Sequence, residues 1–247
     1  MNSYDSDRIL ESVSKTHKKV NNPEDADVIV FNTCHIREKA AEKIYSEVGK
    51  IAELKEQNQG LKLVVAGCVA QAEGKAMRMR QPKIDLVIGP QMYHDFSLML
   101  KENKYIENTM LDFNNEDKFA KLGNKRTSAN LSSFLTIQEG CNKFCSFCVV
   151  PYTRGAEFSR SVSDLIEETK ELAEKGCREI ILLGQNVNAY HGLDERGKET
   201  SLAKLILEIE KIEEIERISY TTSHPRDMSE DLIELHGYSK KLNPYLH

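Results

Sequence analysis

Long apolar runs are missing from this 247-residue chain. The longest are strand-sized, so no stretch reads as a membrane-spanning helix. A secretory leader is missing as well: Met1-Asn2-Ser3-Tyr4-Asp5-Ser6-Asp7 carries acid where a leader carries base ahead of an apolar segment. A cytosolic protein is therefore expected. Positive charge is not in excess, since 34 Lys and Arg stand against 39 Asp and Glu for a net charge of -5. Binding phosphates takes a clustered basic surface rather than a basic total, so this acidity argues only weakly against an RNA partner. No repeat of fixed period runs through the chain, which excludes solenoids and repeat arrays. What remains is 40% hydrophobic and 30% charged residues, enough to bury a core in one large domain or two modest ones. Six cysteines, at 34, 68, 141, 145, 148 and 177, accompany no export signal, so metal binding outranks a disulfide framework.

From Asp27 to about Tyr105, short apolar runs alternate with helical periodicity, the pattern of a parallel sheet wrapped by helices. Strands are expected over 28–31, 63–66 and 86–88. The helix between the first two shows Ile36, Ala40, Ile44, Val48, Ile51 and Leu54 every three or four residues, giving one buried stripe. Residues 6–15 also read as helix with no strand before them, so the opening strand of the unit is expected to be missing. Residues 113–130 are polar, poor in aliphatics and aperiodic, and read as a linker between domains at 1–112 and 131–247. The second domain alternates strands over 134–138, 179–183 and 217–222 with helices over 163–175, 202–211 and 229–235. That is a (β/α) barrel pattern of about three units, too short for a closed eight-unit barrel.

The strongest chemical signal is Cys141-Asn-Lys-Phe-Cys145-Ser-Phe-Cys148, directly after the first strand of the second domain. Three thiolates on so short a loop hold three corners of a cubic iron–sulfur cluster and leave the fourth iron open to a ligand. A structural zinc site is the competing use. It needs four closed ligands, and the next histidine, His191, is 43 residues on. Cys34 and Cys68 each follow a strand of the first domain, where parallel strands bring their carboxyl ends to one crevice, although two buried structural thiols would look alike. Gly184-Gln185-Asn186-Val187-Asn188 and Thr222-Ser223-His224-Pro225 follow strands of the second domain. They read either as a binding mouth or as ordinary turn chemistry, and His224 as a proton carrier or a cap. Arg154 and Arg160 flank the cysteine loop, ready either for carboxylate and phosphate or for anchoring the loop. Lys118, Lys121, Lys125, Arg126, Lys240 and Lys241 are the basic residues on offer to RNA, or else a solvated charge run. Cys177 has no spaced partner and reads as structural.

Phe147, the aromatic before the last cysteine, makes the triad resemble the hallmark of the radical S-adenosylmethionine superfamily. The stretch Asn32-Thr33-Cys34-His35-Ile36-Arg37-Glu38-Lys39-Ala40 adds to this, as do Gly140 to Cys148, Val149-Val150-Pro151-Tyr152-Thr153-Arg154-Gly155-Ala156-Glu157 and Ser159-Arg160. Together they resemble the methylthiotransferase family, nearest its tRNA branch. The resemblance implies a flavodoxin-like parallel α/β domain followed by a partial radical-SAM (β/α) barrel. It implies that Cys141, Cys145 and Cys148 ligate a 4Fe-4S cluster whose open iron chelates S-adenosylmethionine, with cleavage to methionine and a 5′-deoxyadenosyl radical after reduction. Phe147 is then near the adenine, and Gln185, Ser223 and Arg160 serve the S-adenosylmethionine pocket. Cys34 and Cys68 match two of three ligands of a second, auxiliary 4Fe-4S cluster. The third is expected two residues before Met1, and the family's barrel continues past this sequence into a small β-rich RNA-binding domain, so a fragment is expected. The implied activity adds a methylthio group to C2 of N6-isopentenyladenosine next to the anticodon. The implied partners are the tRNA anticodon loop, an electron donor such as a flavodoxin, and an unassigned sulfur donor, with no membrane and a monomeric chain. Siblings acting on threonylcarbamoyladenosine or a ribosomal-protein aspartate, and a non-catalytic iron–sulfur sensor, remain as alternatives.

Overall fold

The computed structural model describes residues 1–34, 38–102, 109–110, 115–127 and 129–247. They form two compact units, one of residues 2–121 with 143–155, the other of Met1, 122–142 and 156–247.

In the first unit, β1 (Val28–Thr33), β2 (Lys62–Gly67), β3 (Leu86–Ile88) and β4 (Thr109–Met110) lie side by side in chain order, all parallel. The sheet is covered on both faces, which is why β2 is apolar without a break. Its alternate side chains face opposite layers. Val64 and Ala66 pack with Ile9 and Val13 of α1 (Asn2–Val13). Leu63 and Val65 meet Val48 of α2 (Glu38–Gln57), Val69 and Ala70 of α3 (Cys68–Glu73), and Met77 of α4 (Lys75–Arg80). Phe96 and Met99 of α5 (Phe96–Glu102) join the α1 layer. Full burial of each such side chain is worth about 1.5–3 kcal/mol. Ile36, one position of the expected helical stripe, lies outside the described residues, as do His35 and Arg37.

Two differences from the sequence reading matter for the site. β1 runs on to Thr33, whose Oγ1 donates to the Ala66 carbonyl at 2.8 Å and ties the strand end to its neighbour. The expected linker contains a helix, α6 (Asn115–Leu122), with Lys118 and Phe119 buried. One aromatic gives no periodicity to read; packing, not local pattern, decides so short a helix. A further short helix, α7 (Val150–Arg154), ends the 143–155 segment.

The second unit is built on a parallel sheet of order β5-β8-β9, with β5 at Ser132–Thr136, β8 at Glu179–Leu183 and β9 at Arg217–Thr221. The single strand expected over 134–138 is interrupted. After Thr136 the chain turns away, and β6 (Gln138–Glu139) pairs antiparallel with β7 (Phe158–Ser159). Ser161 caps α8 (Val162–Glu174) by accepting from the Asp164 N–H at 3.2 Å. Leu202, Leu205, Ile206 and Ile209 form the buried stripe of α9 (Leu202–Glu210). With α10 (Glu230–Tyr238), these helices enclose a core including Leu135, Ile180, Leu182 and Ile218. Three strands with their helices are the expected partial barrel. Among the described residues, no helix is long and apolar enough to cross a membrane.

Candidate functional site

All three parallel strands of the second unit point one way, so the loops after Thr136, Leu183 and Thr221 share one edge. Gln138, fully buried, joins two of them. Its Oε1 accepts from the N–H groups of Gln185 (2.9 Å) and Asn186 (3.2 Å), and its Nε2 donates to the Gly140 carbonyl (2.9 Å). Gln185 answers by accepting the Gly140 N–H on its own Oε1 at 2.7 Å. Cys141, next to this lock, is buried. The loops after Leu183 and Thr221 are tied by Asn188, which donates to the His224 carbonyl at 2.9 Å and accepts the His224 N–H at 2.8 Å. The Asn186 amide donates to Asp227 at 2.7 Å. Thr222 holds φ at +73°, a costly conformation for a β-branched residue. The Asn186 Oδ1 and Ser223 Oγ atoms are buried and have no hydrogen-bond partner among the described residues. Buried polar atoms of that kind call for a ligand or water.

His224 accepts from the Arg226 N–H on Nδ1 at 3.3 Å, the capping arrangement anticipated as one of its two roles. Arg160 is buried, 2.8 Å from Glu168, and donates to the Thr136 carbonyl (2.9 Å) and to Asn124 Oδ1 (3.0 Å). That geometry is loop anchoring. Arg126 is likewise buried on Glu168 at 3.0 Å, so it adds nothing to a basic surface. Cys177 is buried with its thiol on the Glu179 carbonyl at 3.1 Å, as a structural cysteine should be.

In the first unit, Cys34 and Cys68 each follow by one residue the paired strand ends Thr33 and Gly67. Gly67 has φ +97°, and a Cβ there would collide with the Thr33 carbonyl, so glycine lets the two strand ends approach. The Arg154 guanidinium donates to the buried Cys68 sulfur at 3.3 Å and to Asp5 at 2.6 Å, while Gln91 donates to the Arg154 carbonyl at 3.1 Å. Lys118, also fully buried, lies 3.6 Å from Asp5 and 5.2 Å from the Tyr93 ring centroid. It is a structural charge, not part of a basic surface. Burial raises the Asp5 pKa, but Arg154 and Lys118 outweigh it and hold the carboxyl below its ordinary value. On the 143–155 segment, the Cys148 N–H donates to the Cys145 carbonyl at 2.9 Å, Phe147 is 92% exposed, and Phe144 (φ +47°) meets the Tyr152 ring edge-on.

None of the six cysteines forms a disulfide. Among the described residues, no three Cys, His, Asp or Glu side chains are gathered as a metal site. Sequence reasoning missed Gln138 and Asp5. Each sits in an unremarkable local sequence, and only its buried partners mark it.

The family model described as the radical SAM superfamily matches residues 135–246, and that described as uncharacterized protein family UPF0004 matches residues 1–89. Along its whole length the chain is 54% identical to a tRNA-2-methylthio-N(6)-dimethylallyladenosine synthase of Jannaschia sp. (strain CCS1). It is 55% identical to one of Ruegeria sp. (strain TM1040) and 48% identical to one of Orientia tsutsugamushi (strain Boryong). The chain is thus similar from its first residue to its last to tRNA-2-methylthio-N(6)-dimethylallyladenosine synthases, and its second unit matches the radical SAM superfamily. It spans about half the length of these curated relatives, 54–57%.

The radical SAM match implies S-adenosylmethionine and a 4Fe-4S cluster as cofactors. The donor set fits them. Three thiols outside any disulfide occur within eight residues at the spacing a three-cornered hold requires, and the unpartnered Asn186 and Ser223 oxygens stand along the edge that carries Cys141. A second cluster fits less well. Cys34 and Cys68 give two thiols, and the Cys68 sulfur already accepts from Arg154.

Proposed function

We propose that this chain carries the S-adenosylmethionine-cleaving part of a tRNA methylthiotransferase that places a methylthio group on C2 of an N6-isopentenylated adenosine beside the anticodon. The observation that carries the proposal is the Cys141-x3-Cys145-x2-Cys148 loop at the carboxyl edge of a parallel sheet. It occurs in a chain that matches proteins named for this product from end to end.

Cys141, Cys145 and Cys148 would hold three corners of the cluster. When bound, the cluster supplies one-electron reduction of the sulfonium of S-adenosylmethionine. The protein's work is placement. Asn186 Oδ1 and Ser223 Oγ are acceptors for the cofactor's polar groups, the exposed Phe147 ring is free to stack on an adenine, and Gln185 is fixed against Gly140. Arg160, set by Glu168, holds the end of β5 from which the cysteine loop departs. Cys34 and Cys68 supply two of the thiols a sulfur-donating second cluster needs. The target base must leave its stack to be reached, which suits a single-stranded anticodon loop. A cytosolic, monomeric protein reduced by a flavodoxin-like donor completes the reading.

Anaerobic reconstitution with iron and sulfide, followed by electron paramagnetic resonance, tests it. The expected result is a cubane signal that shifts on adding S-adenosylmethionine, with methionine released after reduction. The Cys141→Ala, Cys145→Ala, Cys148→Ala triple variant should lose both. A bound zinc, or a cluster that leaves S-adenosylmethionine intact, would sink the enzyme reading and favour a sensor.

A further inference from the structure

Gln138 ends up fully buried in a two-residue strand whose pairing with Ser159 uses backbone atoms only. Nothing in that pairing requires an amide; a leucine would fill a similar volume. The amide is explained by what surrounds it. Two N–H donors, from Gln185 and Asn186, face its oxygen, and the Gly140 carbonyl faces its nitrogen, so the network itself fixes which end is which. The close fit shows again at Gly184, where a Cβ would stand 2.6 Å from the Gln138 Oε1. With the Gly140 N–H on Gln185, three hydrogen bonds through two amide side chains join the loop that bears Cys141 to the loop that bears Asn186 and its unpartnered Oδ1, and a fourth, to the Gly140 carbonyl, orients the Gln138 amide.

We propose that Gln138 is a positioning residue. It locks the cysteine-bearing loop and the loop after β8 into one rigid piece, so that the first thiol of the motif and the cofactor-facing oxygen keep a fixed separation. The lock exists before any cofactor binds. S-adenosylmethionine then meets a preorganised edge and loses less free energy to ordering loops. This role rests on the cofactor reading given above, but its first readout does not.

The full chain without cofactor is compared with Gln138→Ala by amide hydrogen exchange, and both are then reconstituted and titrated with S-adenosylmethionine under paramagnetic resonance. In Q138A the Gln185 and Asn186 amides should exchange about tenfold faster while those of α8, such as Leu172, stay as they were. The reconstituted variant should keep its iron content, because the three cysteines are untouched. It should need roughly tenfold more S-adenosylmethionine for the same spectral shift. A purely structural residue would instead lower protection throughout the unit. Unchanged exchange at Gln185 and Asn186 overturns the proposal, and so does accelerated exchange with an unchanged titration midpoint. If Q138A does not fold, Gln138→Glu decides, since it keeps the oxygen that accepts from Gln185 and Asn186 but has no donor for Gly140. Weakened S-adenosylmethionine binding with protection retained at Gln185 and Asn186 supports the lock, and native binding refutes it. Should the unsubstituted chain itself ignore S-adenosylmethionine, the cofactor reading falls and the exchange result alone judges the lock.

Discussion

Replacing Glu168 by alanine tests how the second unit supports its cysteine loop. Glu168 is fully buried on α8, 3.0 Å from Arg126 and 2.8 Å from Arg160, which are also buried. Losing the carboxylate strands two guanidinium groups away from water, and breaking a buried pair in this way costs about 3–5 kcal/mol. The exposed Lys211–Glu208 pair, at 2.6 Å, offers the contrast, since surface pairs contribute roughly 0–1 kcal/mol. A domain's whole stability is about 5–15 kcal/mol, so Glu168→Ala should remove roughly a fifth of it or more. With a urea slope of about 1–3 kcal/mol per molar, the unfolding midpoint should fall by roughly 1–5 M. The chain has no tryptophan, so far-ultraviolet circular dichroism and tyrosine fluorescence are the probes. Glu208→Ala serves as the control and should barely move. Glu168→Gln keeps an acceptor for one guanidinium and should fall between. A Glu168→Ala midpoint within about 0.3 M of the unsubstituted chain would mean that the pair is not what holds Arg160, and with it the Thr136 carbonyl, in place.

Two further outcomes follow from the first unit, and a third contrasts a lysine of each unit. Because Arg154 and Lys118 hold the Asp5 pKa below its ordinary value of about 3.9, the stability Asp5 contributes is fully present above that pH and is lost as pH falls toward the lower folded value. Asp5→Asn should therefore be less stable than the unsubstituted chain at pH 7, with the gap closing below about pH 4; a gap constant from pH 7 to pH 2 would exclude this role for the pair. Gly67→Ala should destabilise the unit by about 1–3 kcal/mol in thermal unfolding and speed maleimide labelling of Cys68, because the strand ends must part to admit a Cβ. Lys118→Ala should lower the melting temperature while leaving the salt dependence of the proposed tRNA binding unchanged, whereas Lys125→Ala, at an exposed position, should do the reverse.

The cysteine spacing, the aromatic at Phe147 and the strand periods were legible because each is a local pattern. Thiols at x3-x2 spacing need no fold to reveal what they suit, and β3 and β8 fell within the residues expected because an apolar run between turn residues has few other uses. The parallel order of both sheets followed from alternating strand and helix. Burial of charge was not legible. Lys118, Arg126 and Arg160 look like surface cations in sequence, and only the carboxylates of Asp5 and Glu168, distant in the chain, make their burial tolerable. Helix α6 and the break after Thr136 depend equally on what they pack against. Gln138 is the clearest case. Its partners lie 2 and about 47 residues away along the chain, so its role appears only when the sheet brings the loops after β5 and β8 to one edge. The sequence by itself thus determined the donor atoms and the layered class of the fold. Tertiary structure decided which polar groups became buried supports, because that depends on partners supplied from elsewhere in the chain.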